Sequence, residues 1–493
     1  MPTQRNPWLA LGALVVGFFM ILLDMTIVAV ANPAIMRGLH ADVSQVIWVT
    51  SAYLLTYAVP LLVTGRLGDR FGPKNIYLIG LVVFTAASLG CGLSGTITQL
   101  IVWRAVQGLG AAMMTPQTMA VITRTFAPDK RGAAMGLWGG VAGLATLVGP
   151  ILGGVLIDSL GWEWIFIVNV PVGIIAFGLV VWLVPVLPTR AHKYDLPGIA
   201  LSGVGLFLLV FGLQEGNTYD WSPRIWLLIV GGLVFLALFV LNQARNKDEP
   251  LMPLELFRDR NFALSSLAIA TMGAAVTALM VPAYFYLQAV RDLSPTESAL
   301  VFAPMAIVTG ILSPFVGKFS DNVAPRIVPT VGFAAFSVAV FWWAVLMAPD
   351  SSLGWFLVAA ALAGIANACI WGPLASTATH NLPVHQAGAG AGIYNTTRQV
   401  GSVLGSAAIS ALIAARMSAN GLGGGAPAGE GAAGQSAVPA QIRDEFSAAL
   451  SEAMLLPAGI LLVGVLAAAL FVSHSRGAKK PVDESAKAEP VAR

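Results

Sequence analysis

GRLGDRFGPK (residues 65–74) recurs as GKFSDNVAPR (317–326), and VGPILGG (148–154) recurs as VGSVLGS (400–406). Both pairs are 252 residues apart. In the first pair Gly, Asp and Pro match outright, and both copies end on a basic residue. One offset shared by two separate sites marks a duplicated chain. The composition says what was duplicated. The 493 residues are 57% hydrophobic and 10% charged, whereas soluble domains carry about 25% charged residues. Such a chain cannot cover a water-facing surface with polar groups, so the halves are bundles of membrane helices.

A spanning helix needs about 20 mostly apolar residues. Fourteen stretches qualify, near 8–30, 45–65, 76–95, 99–123, 133–157, 164–185, 196–214, 224–243, 262–288, 297–317, 327–347, 353–378, 387–415 and 449–473. The repeat places span 2 on span 10 and span 5 on span 13. This predicts an all-α integral membrane protein of two six-helix halves (1–190 and 249–474), two inserted helices (191–248) and a tail (475–493). With the N-terminus inside, 20 of the 27 Lys and Arg residues fall on inner connections and tails. Positive charge favours the cytoplasmic side, so both termini are expected there. The Gly/Ala/Pro-rich stretch 418–440 reads as a flexible outer loop, and 245–261 as an amphipathic segment at the membrane surface. The net charge of +3 is scattered and suggests no nucleic-acid partner; the two cysteines, Cys91 and Cys369, lie in apolar runs and read as small core side chains.

The run FFMILLDMTIVAV (18–30) holds one charge, Asp24. An ionisable group inside a membrane is expensive and marks a functional site by default. Arg104, early in span 4, and Asp24, late in span 1, both fall in the outer half of the membrane on this topology, so pairing is geometrically open. A cavity-facing carboxylate that is paired when ionised and released when protonated can carry a proton through a transport cycle. A fixed hydrogen bond, to Thr26 or a neighbouring helix, is the structural alternative. Glu215 and Glu163, near outer ends of spans, are second candidates for an acid. Arg398 is the other basic residue within a span, with local polar support from YNTTRQ (394–399).

The remaining motifs concern movement. Gly65, Gly68 and Gly72 make a tight inner turn with Asp69 and Arg70. Asp69 can accept hydrogen bonds at a helix N-terminus, where the macrodipole favours an anion; Asp321 is its partner in the second copy, where Asn322 stands in place of an arginine and any latch is expected to be weaker. In span 5, Gly149, Pro150, Gly153 and Gly154 suit a bent helix in close backbone contact, expected at the interface between halves. Tyr53, Tyr57, Trp138, Tyr284, Tyr286, Asn367, Trp371, Tyr394, Asn395 and Arg398 are candidates to line a central cavity. Aromatic walls of this kind suit flat, amphipathic or cationic ligands.

GRLGDRFGPKN, RAVQGLGAA (104–112), GLWGGVAGLATLVGPILGG (136–154) and LLDMTIVAVANP (22–33) together resemble signatures of the major facilitator superfamily. With the two extra spans, the likeness is to its fourteen-helix drug:proton antiporter family and covers essentially the whole chain. It implies a latching role for Asp69 and Arg70, proton coupling at Arg104, and an exporter's span 5. The chain departs from the family's usual residues at Ala29, Asn32 and Glu163. The expectation is a multi-pass transporter of a bacterial cell membrane, not an enzyme. It would export amphipathic drugs or similar molecules against protons, as a monomer, with protons as coupling ion and no cofactor or metal. The alternatives are a same-fold exporter of a lipid, siderophore or metabolite, and a non-transporting membrane sensor.

Overall fold

The computed structural model describes residues 6–41, 43–127, 130–189, 195–216, 218–246, 250–420 and 442–472. The tail 475–493 and most of the 418–440 loop lie outside these; Ser418 and Ala419 continue a helix. Every described regular element is helical. The first group comprises α1 (Pro7–Gly38), α2 (Val43–Ala58), α3 (Leu61–Phe71), α4 (Pro73–Gly92), α5 (Ile97–Thr125), α6 (Arg131–Leu160), α7 (Trp164–Ile167) and α8 (Asn169–Leu183). Then come α9 (Leu196–Glu215) and α10 (Pro223–Arg245). The last group is α11 (Arg260–Phe285), α12 (Pro295–Val301), α13 (Ala303–Ser320), α14 (Ile327–Leu346), α15 (Leu353–Thr379), α16 (Ala387–Ala419), α17 (Arg443–Ala453) and α18 (Leu455–Ala469).

Eleven helices among the described residues are long and apolar enough to cross a membrane, or twelve if the bent α2–α3 pair is one span. The pair is bent by 47° at Pro60, whose ring and missing N–H interrupt the helix. α3 ends at Gly72, whose φ of +90° is a conformation open to glycine, and Pro73 starts α4 with φ already set. α5 and α6 stand outside the count of spans. α5 carries Arg104, Gln107, Thr115 and Gln117, all buried within the protein.

Helices α1, α2, α4, α5, α6 and α8 form one group and α11, α13, α14, α15, α16 and α18 the other, with α6 and α13 packed most heavily on each other across the interface. The two groups meet where α3 and α5 cross α16 and where α6 crosses α12, α13 and α15. The inserted α9 packs on α10, and also on α2 of one group and α16 of the other.

The inserted pair is tied down at one end by Asp195. Its carboxylate caps α9 by accepting from Gly198 N–H (2.9 Å), and accepts further from Gln243 Nε2 (2.7 Å), Asn242 Nδ2 (3.3 Å) and Leu251 N–H (3.2 Å). The next carbonyls along, Pro250 and Leu251, accept from Arg66 of α3. The segment expected to lie at the membrane surface is therefore part of the protein's packing: Leu251 and Leu256 are buried, while Glu255 and Arg258 face out. Burial pushes the Asp195 carboxyl up, but the bonds from Gln243, Gly198, Leu251 and Asn242 outweigh it and hold it below its ordinary value. A group lowered in the folded state contributes stability above its unfolded pKa of about 4 and loses it as pH falls through the folded value. Thermal melts should lose this contribution only below about pH 4. At neutral pH Asp195→Ala should cost about 1–2 kcal/mol, as for a lost helix cap. A melt of Asp195→Ala matching wild type at pH 7 would show that the bracket carries no stability.

Candidate functional site

Two seams close one end of the interface between the groups, and they are copies of each other. In the first, Gly65 of α3 meets Gly388 of α16 so closely that a Cβ on either would lie 2.4 or 2.3 Å from the other's carbonyl oxygen. Asp69, one turn further on, is buried and accepts from Gly388 N–H and Ala389 N–H at 2.9 Å each. It thus sits on the first turn of α16, where free N–H groups and the macrodipole hold an anion. Arg124 at the end of α5 pairs with the same carboxylate. In the second seam Gly317 of α13 meets Gly132 of α6, with Cβ clashes of 2.2 and 2.4 Å on the facing carbonyls. Asp321 accepts from Gly132 N–H at 3.0 Å. Gly65 and Gly317, like Asp69 and Asp321, are partners in the 252-residue repeat. Each repeated acid therefore caps a helix of the opposite half.

Other members of the motif bind elsewhere. Lys74 donates to the Val181 and Val184 carbonyls at the end of α8 (2.8 Å each), and the Arg70 guanidinium lies over Phe71 at 5.3 Å. Gly68 sits where a Cβ would overlap Gln117 Oε1 at 1.9 Å. Arg131 adds a tie between halves that charge counting alone did not single out: it donates to the Thr379 carbonyl (2.6 Å) at the C-terminus of α15, the end that favours a cation.

Asp24 lies within the first half, fully buried. Its Oδ2 accepts from Arg104 at 2.5 Å, and its Oδ1 from Gln107 Nε2 (2.9 Å) and Asn169 Nδ2 (3.1 Å). Arg104 also donates to Gln107 Oε1 (2.8 Å) and the Val49 carbonyl (3.1 Å), and its guanidinium stacks 4.2 Å from the Tyr53 ring. Ser88 closes the cluster, accepting from Asn169 Nδ2 (3.0 Å) and Gln107 Nε2 (3.2 Å) and donating to the Phe166 carbonyl (2.9 Å). Helices α1, α2, α4, α5, α7 and α8 are thereby joined through one ion pair. Thr26, one of the partners named for a fixed Asp24 bond, instead has its hydroxyl within donating distance of the Leu22, Leu23 and Ala145 carbonyls, whereas the other, a neighbouring helix, is met by Gln107 and Asn169.

A cavity of about 400 Å³ lies between the halves. α1 contributes Phe18, Leu22 and Met25 to its wall, so Asp24 is on the far face of its own helix. The expected cavity-facing carboxylate is corrected on this point: at 100° per residue, neighbours of a lining residue turn away. Trp138, Trp371 and Arg398 line the cavity; Tyr53, Tyr57, Tyr284, Tyr286, Asn367, Tyr394 and Asn395 do not. These seven serve packing or support. Tyr286 donates to the Ala348 carbonyl (2.6 Å), Tyr284 packs on Phe302 (5.3 Å), and Asn395 bonds back to the Ala391 carbonyl (2.9 Å). Tyr394 is fully buried. Asn367 accepts from Trp371 Nε1 (2.9 Å), and Tyr57 Oη accepts from Arg398 (3.2 Å), so both orient cavity residues from behind. Glu215 is buried and bonded to Thr218, a lining residue, but neither it nor Glu163 lines the wall.

The span 5 glycines divide between two tasks. Gly132, Gly136 and Gly140 of α6 face α13 across the interface, whereas Gly149 and Gly153 face Thr26 and Ile27 of α1 in the same half. Gly154 has only Thr296 Oγ1 nearby, 3.7 Å from its would-be Cβ. The expectation that Gly149 and Gly153 sit between halves is therefore corrected. They lie a helix length beyond the seam, where the α1–α6 pair holds Asp24's helix. Ser88, Gln107 and Asn169 were missed because they are uncharged. The available signal was helical phase: Gln107 is three residues after Arg104 and shares its face.

The Major Facilitator Superfamily model matches residues 14–406. The chain belongs to this superfamily. It is 54% identical, over 98% of its length and 84% of the relative's, to an uncharacterized MFS-type transporter of Mycobacterium tuberculosis (strain ATCC 25618 / H37Rv). It is 35% identical to the tetracenomycin C resistance and export protein of Streptomyces glaucescens, over 84% of this chain and 77% of that one. The crystal structure of the human organic anion transporter MFSD10 (TETRAN) superposes with a TM-score of 0.64 at 14% identity, over 95% of this chain and 100% of that one. At that identity it shares the superfamily fold alone.

Proposed function

We propose that this superfamily member is a proton-coupled exporter of amphipathic small molecules, working by alternating access. The observation that carries the reading is the backbone-to-backbone packing of the halves at one end of the interface. The seams at Gly65–Gly388 and Gly132–Gly317 shut one end of the interface, and the cavity begins further along. On α16 the seam takes residue 388 while the cavity takes 398 to 410, about 15–33 Å on at 1.5 Å per residue. In the topology we favour, fourteen spans with both termini cytoplasmic, the closed end is the cytoplasmic one and the conformation faces outward. The halves 1–190 and 249–474 rock about the cavity, and Asp69 and Asp321 latch the inner end by capping α16 and α6. The relative that exports tetracenomycin C supports export as the direction. The protein works as a monomer in a bacterial cell membrane.

Asp24 and Arg104 supply the coupling in this scheme. With Asp24 ionised, the pair and its amide donors hold α1, α4, α5 and α8 in one arrangement. A proton taken by Asp24 removes the attraction to Arg104 and frees α1 to shift. Leu22 and Met25 on the same helix then move the cavity wall. The test uses everted vesicles acidified inside, a pH-sensitive dye and a panel of amphipathic compounds. Compound-dependent proton release is expected from vesicles carrying the chain and from none without it. Flux of a compound that persists unchanged when the proton gradient is collapsed would sink the coupling.

A further inference from the structure

The cavity has a sign. Along α16, Arg398, Ser402, Ser406 and Ser410 fall at intervals of four residues and all line it, forming one polar stripe down a single helix face. Opposite stand the apolar Phe18, Leu22 and Met25 of α1, with Trp138 and Trp371 beside them; Phe18 and Trp138 are stacked at 4.7 Å. No Asp or Glu is among the lining residues. Asp24, adjacent to Met25 in sequence, is engaged by Arg104, and Glu215, adjacent to Gln214, is bonded to Thr218. Arg398 is therefore the charge that a ligand in this cavity meets. A guanidinium is a permanent cation. The one described side-chain bond of Arg398 is to the neutral Tyr57 hydroxyl at 3.2 Å, and its Nε is buried with no hydrogen-bond partner. A guanidinium in such a place gains most from an anion that can accept two of its N–H bonds.

We propose that this cavity selects amphipathic anions: a carboxylate or a similarly delocalised oxyanion seated on Arg398, with a flat apolar body against Trp138 and Trp371. This rests on the exporter reading for its physiological meaning and on the cavity alone for its chemistry. It replaces the cationic or charge-indifferent ligand that aromatic walls by themselves suggest. The serine stripe extends the polar track along α16, so the anionic end has hydroxyl donors beyond Arg398. A cationic head group in the same place would lie beside an unneutralised guanidinium.

The test compares three ligands of one shape: 2-naphthoate, its methyl ester and the 2-naphthyltrimethylammonium ion. Each is radiolabelled and bound to the purified full-length chain in detergent. The carboxylate is expected to bind tightest. Arg398→Gln should weaken it about ten- to a hundredfold, the range for a hydrogen bond to a charged group, and weaken the ester less, by at most about tenfold, since its carbonyl accepts a hydrogen bond but forms no ion pair. Arg398→Lys should recover part of the loss. The ester also reports whether each variant is folded, because its binding needs the cavity but not the charge. No preference for the carboxylate, or an equal loss of ester and carboxylate in Arg398→Gln, overturns the assignment. If naphthoate binds through Arg398 but drives no proton release in vesicles, the exporter reading fails and the anion site stands. Proton-coupled flux of all three ligands alike has the reverse meaning.

Discussion

Asp24→Asn is expected to uncouple transport from protons and to destabilise the protein at the same time. The substitution leaves Arg104 charged in a site where its side chain is 1% exposed, with Gln107 Oε1 and the Val49 carbonyl as remaining acceptors. Removing one partner of a buried pair costs about 3–5 kcal/mol, mostly the penalty of the orphaned charge. A thermal melt in detergent should show that loss. Arg104→Gln should do the same from the other side. The double variant Asp24→Asn/Arg104→Gln removes both charges and should regain most of the stability, because the amides can bond one another. Proton release in vesicles should stay absent, because no group in the cluster then titrates. Stability and coupling thus separate in the double variant. Should it release protons like wild type, the pair is structural and the coupling group lies elsewhere.

Gly65→Val should hold the seam end of the interface open, the inner end in the proposed topology. The Cβ would sit 2.4 Å from the Gly388 carbonyl oxygen, and backbone of a capped helix cannot turn aside as a side chain can. Overpacking of this kind costs about 1–3 kcal/mol, charged only to the closed-seam state. That is about a 5- to 150-fold shift of the population toward the inner-open form. Gly317→Val, its repeat partner, should behave alike, since its Cβ meets the Gly132 carbonyl oxygen at 2.2 Å. Gly12→Val is the control, with nothing within 4 Å of the added carbon. The readout is labelling of a cysteine placed at Ala389 by an impermeant reagent on the seam side of the membrane, the cytoplasmic side in the proposed topology. Both seam variants should label faster than wild type and transport more slowly. Unchanged labelling in both would mean that the seam is not the gate.

The cap on α16 shows what could be read in advance and what could not. That Asp69 would seek a helix N-terminus followed from its place in a glycine turn and from the preference of anions for free N–H groups. Its repetition at Asp321 implied only a second, weaker latch; that Asp321 too caps a helix came from the structure. Which helix each would cap depended on how the halves dock, and the chain between residues 69 and 388 carries no local signal for that. The same division runs through the ion pair. Asp24 and Arg104 stood out because charge within an apolar run is costly wherever it lies. Ser88, Gln107 and Asn169 complete the cluster only once α4, α5 and α8 converge.

Periodicity and charge thus determined by themselves that the chain is helical, membrane-embedded and duplicated, because each of these is a local or statistical property. Hydropathy needs only a window, and duplication only an offset. Facing was left to the tertiary structure. Rotation of α1 by one residue separates a carboxylate in a proton cavity from one sealed behind it, and side-chain identity does not encode that rotation. Packing of Leu22 and Met25 against the gap between halves placed Asp24 behind the wall. It also left Arg398 as the charge on the cavity's surface.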